Sequence, residues 1–109
     1  MTDLQRLMGL ARRLEGVCPD SAEAASAFLS ALPPEYRLPK IASDGEGGVI
    51  FAWEGAHREL VMSVCGWTLY PVVDPTAGAK HLPDAHFDGK VIPHGIMGAL
   101  NKCAKGTSP

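Results

Sequence analysis

Up to Leu32 the apolar residues of this chain recur every three or four positions; from Gly48 they alternate with polar ones. The first period belongs to one face of an α-helix and the second to one face of a β-strand, so the reading is an α+β protein with helices and strands in separate stretches. Leu4, Leu7, Met8, Ala11 and Leu14 form the stripe of a first helix over about 3–15, which Leu10 widens. Thr2 and Gln5 have the spacing of a capping box at its start, and Gly16 suits a left-handed residue beyond its last turn. Ala25, Phe28, Leu29 and Leu32 mark a second helix over about 21–32. Asp20 and Glu23 repeat the capping-box pattern there, and Pro33-Pro34 supply the stop.

The β-type stretches are VIFAW, HRELVMSV and WTLYPVV, parted by turn signals at Gly55 and Gly66. They predict a three-stranded antiparallel meander over 48–74. A two-residue turn at Gly55-Ala56 pairs Trp53 with Arg58, Phe51 with Leu60 and Val49 with Met62. A second turn at Cys65-Gly66 pairs Val64 with Trp67, Met62 with Leu69 and Leu60 with Pro71. Alternation then puts Val49, Phe51, Trp53, Leu60, Met62, Val64, Trp67 and Leu69 on one face. Being almost wholly apolar, that face is the expected core, built with Phe28 and Leu29. The opposite face carries Ile50, Ala52, Glu59, Val61, Ser63, Thr68, Tyr70 and Val72, a mixture that suits an open sheet surface. Pro71 has no amide to donate, so the third strand is expected to lie at an edge or to end there.

Residues 33–47, rich in proline and glycine, read as a linker, and 75–92 as a loop without periodicity. Pro93 suits a first helical turn, and Ile96, Ala99, Leu100 and Cys103 give one face of a short carboxy-terminal helix over about 93–103, followed by a frayed tail at 104–109. The 109 residues make a single domain. With 46% hydrophobic and 20% charged residues it can bury a core, and its net charge of −2 lacks the basic excess that a general nucleic-acid binder needs. No apolar run approaches about 18 residues, so no membrane span or signal segment is expected and the location read from the sequence is cytoplasmic.

The candidates for chemistry are few. His81, Asp84, His86 and Asp88 bring imidazole and carboxylate together in HLPDAHFD, the right groups for zinc or iron, but at a spacing that matches no ligand motif. Cys18, Cys65 and Cys103 lack CxxC spacing, so they are expected as reduced thiols, with Cys103 acting as a small buried hydrophobe. None has the neighbours that would mark a Cys-His nucleophile. SDGEGG has the glycines of a phosphate loop without its GK[ST] ending, and reads as a flexible turn. No cofactor signature occurs. The remaining candidate is a contact surface: Ile50, Val61 and Tyr70 as a transverse row, with Val72 beside it and Glu59 at its rim.

The stretch PKIASDGEGGVIFAWEGAHRELVMSVCGWTLY, from Pro39 to Tyr70, resembles small uncharacterised bacterial and phage accessory proteins in its proline-led linker, DG turn, strand ending in a tryptophan-acid pair, and hairpin. HFDGKVIPHGIMGALNK is similar to the closing helix of such proteins. The resemblance implies a non-enzymatic module that binds a larger protein or complex, in the manner of anti-CRISPR proteins, antitoxins and immunity proteins. Two other classes stay open: a small metal-dependent or Cys/His enzyme using His81, Asp84 and His86, and a weak nucleic-acid binder.

Overall fold

The computed structural model describes residues 2–54, 58–76 and 78–105. In chain order its elements are α1 (Asp3–Arg13), α2 (Pro19–Ala31), β1 (Lys40–Ser43), β2 (Val49–Trp53), β3 (Leu60–Cys65), β4 (Thr68–Val73), β5 (Lys80–His81), β6 (Ala85–His86) and α3 (His94–Cys103). The strands make one antiparallel sheet in the order β1-β2-β3-β4, with β5 and β6 both paired to the outer side of β4. The protein is therefore α+β as the two periodicities require, but its sheet is larger than a three-stranded meander.

The helix starts show which local signals acted. Thr2 Oγ1 accepts from the Gln5 amide and Gln5 Oε1 accepts from the Thr2 amide, each at 3.1 Å, completing the expected capping box. At α2 the box on Asp20 and Glu23 does not form. Pro19 takes the first helical position and Cys18 the cap, with no side-chain bond, because proline's fixed φ already suits a first turn and has no amide to satisfy.

Three sequence expectations are corrected in the sheet. First, both hairpins are paired two residues away from the expected register: Trp53 faces Leu60, Phe51 faces Met62, Val64 faces Leu69 and Leu60 faces Val73. The second turn is Gly66-Trp67, with Gly66 at φ +57 in the first turn position, the place a type II′ hairpin reserves for glycine. Residues 55–57, where the first turn was expected, lie outside the described residues. A shift of two preserves every facial assignment along the strands; Trp67 stands in the turn and not in a strand, and still packs against the core beside Phe87.

Second, the 33–47 stretch is more than a linker. Lys40–Ser43 within it form β1, and Tyr36 is 8% exposed, with its hydroxyl donating to Asn101 of α3. Third, the 75–92 stretch contributes β5 and β6. These pair with Val72-Val73 and Thr68-Leu69 and leave Tyr70-Pro71 between them without a strand partner on the outer side of β4, while Pro71 faces Met62 of β3 on the inner side, so the outer ladder is interrupted at the residue lacking an amide. β4 thus runs through Pro71 to Val73, neither a free edge nor a strand that ends at the proline.

The core lies between the three helices and one face of the sheet. Phe28, Leu29, Phe51, Leu60, Met62, Leu69 and Phe87 are fully buried, and Trp53 and Ile96 are 1% exposed. The Phe28 ring stands 5.5 Å from Phe51, 6.3 Å from Trp53 and 5.8 Å from Phe87, centroid to centroid. Ala99, Leu100 and Cys103 bring α3 into the same core. Leu10, expected to widen the buried stripe of α1, is instead 42% exposed. No helix among the described residues is long and apolar enough to cross a membrane.

Candidate functional site

Burial alternates along β2, β3 and β4, so the helices cover one face of the sheet and leave its other face open. Ile50, Val61, Val72 and Glu59 on that face are half-buried, and Tyr70 is 40% exposed. The structure brings these five onto one surface, though not as the sequence arranged them. Ile50, Ser63 and Tyr70 form one transverse row with Ala42 of β1; Lys40, Ala52, Val61, Val72 and His81 form the next. Ile50, Val61 and Tyr70 are therefore not a single row. Val61 faces Val72 directly and lies diagonal to both Ile50 and Tyr70, at the roughly 7–8 Å typical of such neighbours. The result is an apolar cluster with the small Ser63 between its two largest members.

Charged groups border one end of the cluster, and most are already paired. Lys40 Nζ lies 3.4 Å from Glu54 Oε2, and Arg58 lies 3.8 Å from Asp74. Asp74 also accepts from the Glu59 amide at 2.9 Å while its own amide donates to the Glu59 carbonyl at 2.7 Å. That exchange holds Glu59 beside Asp74 at the rim, and the Glu59 carboxylate has no ion-pair partner among the described residues. Lys40 and Ala42 belong to this surface but were not foreseen. The alternation in KIAS was the available signal, too short to outweigh the prolines and glycines around it.

The histidine-carboxylate stretch does not come together. His81 pairs with Val72 and His86 with Thr68, four residues apart along β4, which separates the two backbones by about 13 Å at the usual strand rise. Asp88 is committed to its own turn, accepting from the Lys90 amide at 2.8 Å and the Val91 amide at 2.9 Å, and these bonds hold its carboxyl below the usual range. Among the described residues no three histidine, cysteine or carboxylate side chains are grouped as ligands.

The cysteines are free thiols. Burial pushes the Cys103 thiol up, in keeping with its place in the core. Cys65 is also pushed up, by burial and then by the carboxylate of Asp44, whose Oδ2 is 3.9 Å from the sulfur. A thiol disfavoured as thiolate is a poor nucleophile. The SDGEGG stretch is an ordered turn: Asp44 Oδ1 accepts from the amides of Glu46 at 2.6 Å and Gly48 at 2.9 Å, and these bonds hold its carboxyl below the usual carboxylate range. With that carboxylate in its centre the turn is no cradle for phosphate.

Comparison with protein-family models, with curated proteins and with solved structures finds no match. The surface has therefore to be read from its own chemistry.

Proposed function

We propose that this chain is a protein-binding module without catalytic chemistry of its own, which docks a larger prokaryotic protein or complex through the open face of its sheet. The observation that carries the reading is the cluster of Ile50, Val61, Val72 and Tyr70 on a face that, among the described residues, no helix covers, with the carboxylate of Glu59 at its border lacking an ion-pair partner among those residues. Each apolar side chain fully buried on docking contributes about 1.5–3 kcal/mol by area, before ordering costs. Tyr70 supplies the anchor, since its ring gives area and its hydroxyl can satisfy a polar group at the rim. The partner that fits presents an apolar projection flanked by a lysine or arginine for Glu59. The resemblance to anti-CRISPR proteins, antitoxins and immunity proteins makes inhibition of that partner the proposed outcome.

The test is a double variant, Tyr70→Ala with Val61→Ser, together with a separate Glu59→Lys variant. Thermal unfolding first establishes that each is folded, and affinity capture from the native host is then compared with the parent. The reading expects one discrete partner bound by the parent, lost in the double variant and weakened by the charge reversal. Retention of every partner at unchanged affinity by the folded double variant would move the binding surface elsewhere.

A further inference from the structure

A second docking site lies at the free edge of the sheet. β1 pairs with β2 on one side, and no strand lies on its other side among the described residues. The Asp44 amide donates to the Gly48 carbonyl in step with the register of β1 on β2, so alternation aims the backbone groups of Asp44, Ala42 and Lys40 at β2 and those of Ser43 and Ile41 outward. Ile41 and Ser43 thus each offer an amide and a carbonyl to a further strand. Pro39, next in the same alternation, has no amide to add.

α1 flanks this edge. Gly16, just past the helix, comes close enough to β1 that a Cβ there would be 3.8 Å from the Ser43 hydroxyl, while Leu7 and Leu10 meet Leu38-Pro39 ahead of the strand. The helix therefore runs beside β1 in the same direction. Its Met8 and Arg12 side is turned to α2, and its other side, with Leu7, Leu10 and Arg13, borders an open groove of about 460 Å³ against Leu38 and Pro39. Leu10 and Leu38 are two of the four large apolar side chains that are exposed among the described residues, so uncovered apolar surface is concentrated here. The carboxylate bordering the groove, Asp3, lies 3.8 Å from Arg6 at the start of the helix, whereas Arg13 has no ion-pair partner among the described residues. The uncommitted charge beside the leucines is positive.

We infer that the groove between α1 and β1 takes an extended peptide segment of a partner protein, added to the sheet as a further strand beside β1, with an apolar side chain between Leu10 and Leu38 and a carboxylate two residues away at Arg13. The peptide backbone bonds to Ile41 and Ser43, and the groove selects the side chains, the division found in strand addition generally. The two-residue spacing follows from the geometry of the two elements. Arg13 stands about 7 Å along the helix axis beyond the midpoint of Leu7 and Leu10, at 1.5 Å per residue, and side chains on one face of a strand recur about every 6.6 Å. A helical segment would leave the edge amides without partners, and a basic one would meet Arg13 with like charge. The site shares no residue with the Tyr70 cluster and does not depend on it.

The experiment is an NMR titration of the ¹⁵N-labelled protein with two end-blocked threonine heptapeptides in which a leucine and a glutamate stand two positions apart, one peptide for each order and so for each strand direction. One of them should give saturable shifts, in the roughly millimolar range of so short a ligand, at the Leu10, Leu38, Ile41 and Ser43 amides, with slowed hydrogen exchange at Ile41 and Ser43. Alanine for the peptide leucine should weaken binding about tenfold, and lysine for its glutamate about fivefold. Arg13→Glu should reverse the preference for glutamate over lysine, and Leu10→Asp, at an exposed position, should remove binding from a protein that thermal unfolding shows to be folded. Tyr70→Ala should bind as the parent does. The proposal is overturned by the absence of saturable shifts with either peptide, by shifts centred on the open sheet face, or by an Arg13→Glu protein that still prefers glutamate. Equal binding of a peptide N-methylated at the leucine, the glutamate and the threonine between them also overturns it, since that peptide keeps its side chains but cannot pair as a strand. Shifts of the Ile41 and Ser43 amides that follow protein concentration alone would assign the edge to a second copy of the chain and overturn it likewise.

Discussion

The indole nitrogen of Trp53, at the end of β2, donates to the backbone carbonyl of Arg37 at 2.8 Å. Through this bond the segment between α2 and β1 is tied to the sheet, and the guanidinium of Arg37 extends the tie to α3, donating to the Cys103 carbonyl at 2.7 Å. Replacing Trp53 by Phe removes the donor while keeping most of the ring. We expect a loss of about 1–3 kcal/mol in urea unfolding, the cost of leaving a part-buried carbonyl without its partner. A change within about 0.5 kcal/mol, ordinary for a surface position, would show that the bond does not bear on the fold.

Phe51 is fully buried with its ring 5.5 Å from that of Phe28. Phe51→Ala should destabilise the protein by about 3–5 kcal/mol in denaturant unfolding, since the aromatic contacts are lost and a cavity remains between α2 and the sheet.

Ser26 offers the opposite case. Its buried hydroxyl lacks a partner among the described residues, so Ser26→Ala should raise stability by about 0.5–1.5 kcal/mol, through removal of an unsatisfied group and the better helix propensity of alanine. Thermal unfolding of the pair measures it directly. A destabilised variant would mean that the hydroxyl is hydrogen-bonded in solution.

Asp44 and Asp88 are each held below the usual carboxylate range by backbone amides. A carboxyl whose pKa is depressed on folding contributes stability that is complete above its unfolded value, near 4, and is lost as pH falls through the lower folded value. The urea midpoint should therefore decline as pH drops from about 4 towards 2, and Asp44→Ala should flatten part of that decline while lowering stability at neutral pH. An unchanged acid limb in the variant would contradict the assigned turn bonds.

Asp74 sits at φ +52, the only non-glycine residue among those described with a positive φ. Its exchange with Glu59 sets how far β3 and β4 overlap. Asp74→Asn, which tolerates this conformation and can still accept the amide, should be close to neutral, whereas Asp74→Ala should cost about 1–2 kcal/mol and weaken amide protection at Glu59. Hydrogen exchange on the two variants distinguishes them.

Much of this was legible in residue order alone. The stripes of Ala25, Phe28, Leu29 and Leu32, and of Ile96, Ala99, Leu100 and Cys103, are local patterns, and all eight residues are buried. So is the alternation that separates Phe51, Leu60 and Met62 from Ile50, Val61 and Tyr70. A pairing error of two residues leaves that separation intact, which is why the faces were read correctly and the transverse neighbours were not. The second turn was expected at Cys65-Gly66, and glycine's preference for the first position of a type II′ turn is the local reason it forms at Gly66-Trp67. The Asp74–Glu59 exchange, between residues 15 apart, had no local signature.

What the sequence by itself determined is the set of surfaces: which residues of the strands turn inward, roughly which stretches are helical, and that one sheet face stays mixed in character. These follow from periodicity and from proline and glycine, whose effects act within a few residues. Only the tertiary structure decided the partners: β1 recruited from a proline-rich stretch, β5 and β6 set either side of Pro71, His81 and His86 drawn apart along β4, and the Ser26 hydroxyl buried without a partner among the described residues. Those outcomes depend on contacts between segments distant in the chain, where a short polar strand gains its stability from the neighbour it pairs with rather than from its own composition.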